Sequence, residues 1–408
     1  MTDYHHRTTC RGCGHGRLTE VLDLGDMPLA NAFIRQEDIA AERRYPLTVA
    51  FCPECSLLQT PDVVDPAILF GNYAYATGAS APLVEHFRRY AEESVLPLVS
   101  KDDLVVDIGG NDGTLLKFIR DAVNCPTINV DPTAGLAGGG LLVNVLFSLE
   151  AAKKIERLYG PTKVVTANNV LAHVDDLPDF LEGVRHLLAD DGTFIFEVHW
   201  VKDLIDRTGY DQVYHEHLCY FSLHSLDLLL ERAGFELVDA QVVPMHGQCL
   251  RVKAIKDRPE SIHGMSKGAY DIYRAETDTG LDTEASYLAF AARAQSHREL
   301  LRDVIYDLVD GGARVIGYGA PAKGTTLLNY CGVGSDLDYV VDGSQSKQGK
   351  QVPGVHVPIV SPDVLGDDTP DYALLLSWNY ADHILEKEKD LRARGTKFIV
   401  PFPEVRIV

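Results

Sequence analysis

Between Lys101 and Trp200 the chain alternates apolar runs, LVVDIGG, TINVD, KVVTANNV and TFIFEVHW, with amphipathic stretches. Short apolar runs followed by segments of helical periodicity predict strand–helix–strand units. Repeated in this way, they predict a parallel sheet covered on both faces. FELVDAQVV and CLRVKAI, joined through a Pro-containing turn, predict a closing antiparallel hairpin. From Asp257 to Asp282 the composition turns polar and charged, as a connection would. After it, ASYLAFAARAQSHRELLRDVIYDLVDGG predicts a long amphipathic helix ending at Gly311 and Gly312. Beyond that helix ARVIGYGA, DYVVD, YALLLSW and KFIVPF predict a second, smaller parallel sheet. The expected division is therefore residues 1–70, 71–256 and 257–408, which suits a length of 408 residues.

The first part is organised by cysteine. CRGC (Cys10, Cys13) and CPEC (Cys52, Cys55) each hold two thiolates two residues apart, and two such knuckles complete a tetrahedral zinc site. Four cysteine ligands leave no coordination position for water, so a structural zinc is expected. The stretch between the knuckles is longer than a usual ribbon and predicts an insertion that includes the helix-like EDIAAERR.

Two glycine loops follow strands. VVDIGGNDGTLLKFI places Gly109, Gly110 and Gly113 where the backbone approaches a ligand, and Asp107 either orients this loop or accepts from a ligand amine. One unit later NVDP sets Asp131 at the end of the next strand, where a carboxylate can accept both hydroxyls of a ribose. This combination suits an adenosyl ligand. The second loop, VIGYGAPAKGTTLLNY, carries Gly317, Gly319 and Ala322, with Asp342 after the next strand. Alone it invites a nicotinamide dinucleotide. Lys323 in the first turn of the helix favours phosphate recognition instead, and a purely structural turn is the third reading.

Composition narrows the classes. A formal charge of −21 leaves no basic surface for a sequence-independent grip on nucleic acid, and no run is long enough to span a membrane. The chain opens without a signal-like apolar core, and it is read as cytoplasmic. The segment VYHEHLCYF gathers His215, Glu216 and His217 among aromatic residues. These histidines either satisfy local structure or exchange protons with a substrate. His199 and Trp200 stand where a parallel sheet presents strand ends to ligands, with packing the alternative for Trp200. Cys219 and Cys249 read as small buried fillers.

Taken in order, YAYATGAS, DIGGNDGTLL, NNVLAHV, YHEHLCYFS, GYGAPAKGTTLLNY, KQGKQVPGVHVPI and SWNYADHI...KFIVPFPEV span nearly the whole chain. Together they resemble the three-domain, zinc-binding sugar C-methyltransferases of antibiotic biosynthesis, which use S-adenosylmethionine on nucleotide-linked deoxysugars. The resemblance implies an α/β fold: a class I methyltransferase-type doubly wound sheet flanked by a four-cysteine zinc domain and a Rossmann-like C-terminal domain. It implies His217 as base, with Tyr214, Glu216 and His173 in the same site and Tyr75 closing over the substrate. Asp107, Gly109, Asn111, Gly113, Asp131 and Asn168 would bind the cofactor; Tyr73, His215 and Lys323 would meet the substrate. Three positions depart from the family: serine is usual where Gly110 stands, and a glycine–serine pair where this chain has Gln248 and Cys249.

The implied chemistry makes one demand. A carbon becomes nucleophilic when a proton beside a ketone is removed, and histidine accepts a proton near neutrality. The enolate oxygen then needs a fixed donor, for which Tyr214 or His173 would serve. Glu216 would hold the His217 ring in one tautomer or meet an amino or hydroxyl group of the sugar. Residues two apart in extended chain share a face, so an irregular loop or helical turn is expected at Tyr214–His217. Methylation on oxygen or nitrogen, a nicotinamide-dependent oxidoreductase and a zinc adaptor are the competing readings.

Overall fold

The computed structural model describes residues 3–70, 77–133, 140–245, 247–257 and 264–408. Tyr73 and Tyr75 lie outside the described residues.

The apolar runs of the middle part become a seven-stranded sheet in the order Leu141–Val143, Thr127–Val130, Val105–Ile108, Thr162–Asn168, Leu188–His199, Cys249–Lys256, Phe235–Val243. The first five strands run parallel and the final hairpin antiparallel, as its sequence predicts. Adjacent residues such as Val105 and Val106, Val164 and Val165, or Phe194, Ile195 and Phe196, are all buried. Burial of both parities means both faces of the sheet are covered, which is why these strands read as continuous apolar runs. The parallel strands end together at Gly109, Asp131, Asn168 and His199, so one edge of the sheet collects the strand-end residues singled out in the sequence.

The second parallel sheet is also present, ordered Ile359–Val360, Val340–Val341, Val315–Tyr318, Tyr372–Leu375, Lys397–Val400, Arg406–Ile407, with only the last strand antiparallel. The long helix runs Glu284–Asp310. Its buried face carries Tyr287, Phe290, Ala291, Ala294, Leu301 and Ile305, and Tyr287 stacks on Phe51 of the N-terminal part at 4.7 Å between ring centroids.

The polar stretch before that helix holds more structure than its composition shows. Lys267–Asp278 is helical, and its Glu276 accepts from the Trp200 indole (2.6 Å) and from the amides of Leu223 (2.7 Å) and His224 (3.0 Å). A carboxylate thus satisfies the open amides at the start of helix Leu223–Arg232. Trp200 is packed in this way through its indole and also lines the cleft described below. EDIAAERR forms one short 3₁₀ turn, Gln36–Ala41.

The N-terminal part forms an antiparallel sheet, and its outermost strand is borrowed. Cys219–Tyr220, from the histidine segment, pairs with Leu58–Gln59, which pairs with Arg44–Phe51 and then Thr19–Pro28. One apolar core runs from Leu22, Val49 and Phe51 through Leu204, Tyr210 and Val213 to Ile316 and Leu374. The three parts therefore share a core around the segment that precedes the histidines. Among the described residues no helix is long and apolar enough to cross a membrane.

Candidate active site

The four knuckle cysteines converge. Cys10 and Cys55 sulfurs lie 3.5 Å apart, Cys13 and Cys52 sulfurs 3.6 Å apart, and all four within 4.8 Å of one another. A tetrahedral Zn²⁺ with Zn–S of about 2.3 Å separates its sulfurs by about 3.8 Å, so the donor set and spacing fit this ion. The knuckle reaches beyond the metal. Buried Arg11 donates to the carbonyls of Leu218 and Thr60, each at 3.0 Å, and to Asp175 at 3.0 Å. Thr60 donates its hydroxyl to the His217 carbonyl (3.2 Å).

At the first glycine loop, Gly109 (φ 67°), Asn111 (φ 50°) and Gly113 (φ 78°) have left-handed backbone, which bends the chain from strand into helix Thr114–Val123. A β-carbon on Gly110 would stand 2.5 Å from Asn129 Oδ1 and 2.6 Å from Asp107 Oδ2. The side chain of Asn129 fills room that the serine usual in the family would need. Asp131 accepts from the Asn111 amide (2.9 Å) and from Thr133 through amide and hydroxyl (2.7 and 2.8 Å). Asn111 Oδ1 accepts from the Thr77 amide (2.9 Å), and Asp112 from that of Gly78 (2.6 Å). Asn168 Oδ1 is buried without a hydrogen-bond partner among the described residues. Acceptors at Asp131 and Asn168 beside an open glycine turn suit the hydroxyl and amino donors of an adenosyl ligand.

Asp107 is buried at the strand end, where it accepts from Thr166 at 2.7 Å. Burial pushes its carboxyl up to about 7, the Thr166 bond opposes this, and the nearby Asp131 adds to it. An unfolded aspartate titrates near 3.9, so the folded protein keeps a proton that the unfolded chain releases. The stability this contributes is complete below about pH 4 and is lost as pH rises through about 7. The melting temperature of the parent relative to Asp107→Asn is expected to fall across that window. A difference that stays flat with pH contradicts this account.

The histidine segment is a tight turn, with the His217 amide donating to the Tyr214 carbonyl at 2.9 Å. This is the irregular geometry expected, and it brings residues three apart together. The Tyr214 hydroxyl meets His217 Nε2 at 2.8 Å, with ring centroids 4.0 Å apart. His217 Nδ1 lies 3.2 Å from the Gln212 carbonyl. A carbonyl only accepts, so Nδ1 carries the proton and Nε2 is the basic nitrogen. The tautomer role expected for Glu216 thus falls to Gln212. His173, from the turn Leu171–His173, donates Nδ1–H to the Glu216 carbonyl at 2.5 Å, and its ring lies 5.2 Å from that of His217. Burial pushes its pKa down, which favours the neutral ring.

His215 goes elsewhere. It is fully buried against Tyr45 and donates Nε2–H to the Pro46 carbonyl at 3.1 Å, pinning the segment to the N-terminal sheet. The structure therefore separates it from the Tyr214–His217 pair, because alternate residues of the turn face opposite ways. His199 joins the site instead, its ring 5.5 Å from that of His217. Its place at the end of a parallel strand was the signal. A narrow cleft, with room for about one water molecule, is lined by His199, Gln212, His217 and Gln248. Cys249 lies beside it, 4.0 Å from His199 Nδ1. Both unusual residues of HGQCLR thus sit at the site.

In the second glycine loop Asp342 accepts from the amides of Ala320 (2.7 Å) and Ser344 (2.8 Å), while Lys347 donates to the Ala320 carbonyl (2.8 Å). Asp342 is thus held by its own loop much as Asp131 is held by the first, so these bonds do not separate the two loops. Lys323 lies 4.2 Å from the centre of the Trp378 ring and donates to Asn379 at 2.5 Å. Burial pulls it down to about 8, against the pull of Asp211. Asp211 itself accepts from the Trp378 indole at 2.6 Å and stands just upstream of Tyr214, which brings Lys323 to the shoulder of the site.

Three family models tile the chain: "Putative zinc binding domain" over residues 10–70, "Methyltransferase domain" over 83–240 and "C-methyltransferase C-terminal domain" over 244–403. C-methyltransferase NovU of Streptomyces niveus is 35% identical over 407 residues, covering 98% of this chain and 96% of NovU. The chain belongs to the C-methyltransferase family. This C-methyltransferase depends on S-adenosylmethionine and carries a zinc-binding domain. The oxidoreductase and adaptor readings give way to it. Among solved structures, magnesium protoporphyrin IX methyltransferase (ChlM) of Synechocystis PCC 6803 with bound SAM is 11% identical, covering 43% of this chain and 79% of its own at a TM-score of 0.31. CalO1, a methyltransferase in calicheamicin biosynthesis, is 15% identical, covering 47% and 62% at 0.32.

Proposed function

We propose that this C-methyltransferase methylates the carbon beside the ketone of a nucleotide-diphosphate 4-keto-deoxysugar through an enolate, with His217 as base. The observation that carries the reading is the Gln212–His217–Tyr214 chain: a carbonyl holds Nδ1–H, leaving Nε2 as acceptor with the Tyr214 hydroxyl upon it. Substrate entering the cleft displaces that hydroxyl, Nε2 takes the proton, and Tyr214 donates to the oxygen on which charge develops. His173 is less suited to this donation, since its Nδ1–H is already committed to the Glu216 carbonyl. S-adenosylmethionine supplies an electrophilic methyl group on sulfur; Asp107, Gly109, Asn111, Gly113, Asp131 and Asn168 would hold it. Lys323 favours a phosphorylated acceptor bound between the middle and C-terminal parts, and Tyr75 or Tyr73 would close over it. Glu216 is left for the acceptor.

Incubation with thymidine-diphosphate 4-keto-6-deoxyglucose in heavy water, with S-adenosylhomocysteine and no methyl donor, is expected to load deuterium beside the ketone. Methyl transfer without deuterium entry would favour oxygen or nitrogen as the acceptor and overturn the enolate.

A further inference from the structure

Glu216 is 4% exposed and makes no ion pair among the described residues. One oxygen, Oε1, accepts from Asn31 Nδ2 at 3.0 Å; the other, Oε2, is buried with no hydrogen-bond partner there. A buried carboxyl with one oxygen tied and the other unmet is costly unless a donor arrives. Asn31 comes from the zinc domain, 185 residues away in sequence. Its backbone is held from the third part of the chain, because Thr325 donates its hydroxyl to the adjacent Ala30 carbonyl at 2.9 Å. Thr326 likewise donates to the Val213 carbonyl (3.0 Å), just before Tyr214. All three parts therefore fix one contact. Asn31 itself is exposed, while Glu216 next to it is buried.

We propose that Asn31 is a positioning residue: it clamps Oε1 of Glu216 so that Oε2 receives a hydroxyl or ammonium group of the methyl acceptor. The zinc domain is then part of the acceptor site. The role of Glu216 rests on the function proposed above, whereas the clamp itself does not. The titratable groups around Glu216 are His173, bonded to its carbonyl, with Tyr214, His217 and Tyr220 on the same turn and strand. Burial raises the Glu216 pKa; its own backbone amide opposes this most, followed by the Asn31 side chain and the Asn31 backbone amide, so removing the side-chain bond alone raises it further while the two backbone contributions remain.

The test has two arms. The first uses no acceptor: the infrared carboxyl signal that Glu216→Gln abolishes is followed against pH in the zinc-loaded full chain. Asn31→Ala is expected to move its midpoint upward, and an unmoved midpoint overturns the clamp. The second measures kinetics with thymidine-diphosphate 4-keto-6-deoxyglucose. Asn31→Ala is expected to raise the acceptor KM about tenfold, about 1.4 kcal/mol. The KM for S-adenosylmethionine and the zinc content stay unchanged. Asn31→Asp, the same shape with donor replaced by acceptor, loses more as pH rises, and Asn31→Ala adds nothing on a Glu216→Gln background. Additive losses, or a shifted midpoint with unchanged KM, overturn the role toward the acceptor. A keto sugar that is never methylated counts against the proposed function and leaves the infrared arm decisive for the clamp.

Discussion

Replacing His217 by asparagine is expected to lower kcat by roughly 10²- to 10⁴-fold, the usual contribution of a positioned base. Calorimetric binding of S-adenosylmethionine should persist, because the loop at Gly109–Gly113, Asp131 and Asn168 lies on the large sheet, with its own hydrogen bonds among the described residues made to Asn111, Thr133 and Thr77 rather than to the histidine turn. Deuterium entry beside the ketone should be lost with kcat, since both depend on the same proton removal. A structural account of His217 predicts something else. The ring packs on Tyr214 and is 8% exposed, so its loss also costs stability, read as a lower melting temperature. If turnover stays at the parental level in a folded, zinc-loaded variant, His217 is not the base.

Removing zinc, by chelation or by Cys13→Ser, is expected to abolish methyl transfer while leaving most of the affinity for S-adenosylmethionine. Structural zinc contributes about 10–16 kcal/mol in isolated knuckle peptides, far more than the stability of a small sheet. The consequence for catalysis follows from named bonds. Arg11, inside the first knuckle, holds the Leu218 carbonyl, and Thr60 holds that of His217. Cys219 pairs with Gln59 in the same sheet. With the knuckles released, the turn carrying Tyr214 and His217 loses its far side. The cofactor loop, on the other sheet, keeps its own bonds. Zinc content, kcat and cofactor calorimetry on one preparation check this, and full turnover after metal loss would refute the coupling.

How far the sequence could be read depended on whether a signal is local. Cysteines two apart announce a knuckle wherever the chain then goes, since the turn that aims two sulfurs is built from adjacent residues. The glycines of DIGGNDG act through their own φ angles. Strands buried on both faces leave continuous apolar runs, and both parallel sheets were legible for that reason. The helix Lys267–Asp278 was hidden because its main contact is a polar one, Glu276 meeting Trp200 and the start of another helix.

The alphabet of the chemistry, thiolates for a metal, a glycine turn for a cofactor and imidazoles for protons, was therefore set by residues close together in the chain. Their assignment to roles was not. His215 and His217 are indistinguishable by spacing and composition, yet one is pinned to Pro46 and the other faces Tyr214, because a single turn reverses the side of the chain on which each falls. Gln212 rather than Glu216 holds the ring, and Asn31 reaches Glu216 across 185 residues. Those partnerships depend on three separately readable pieces sharing one core, and contacts between distant segments leave no periodicity in the sequence to find them by.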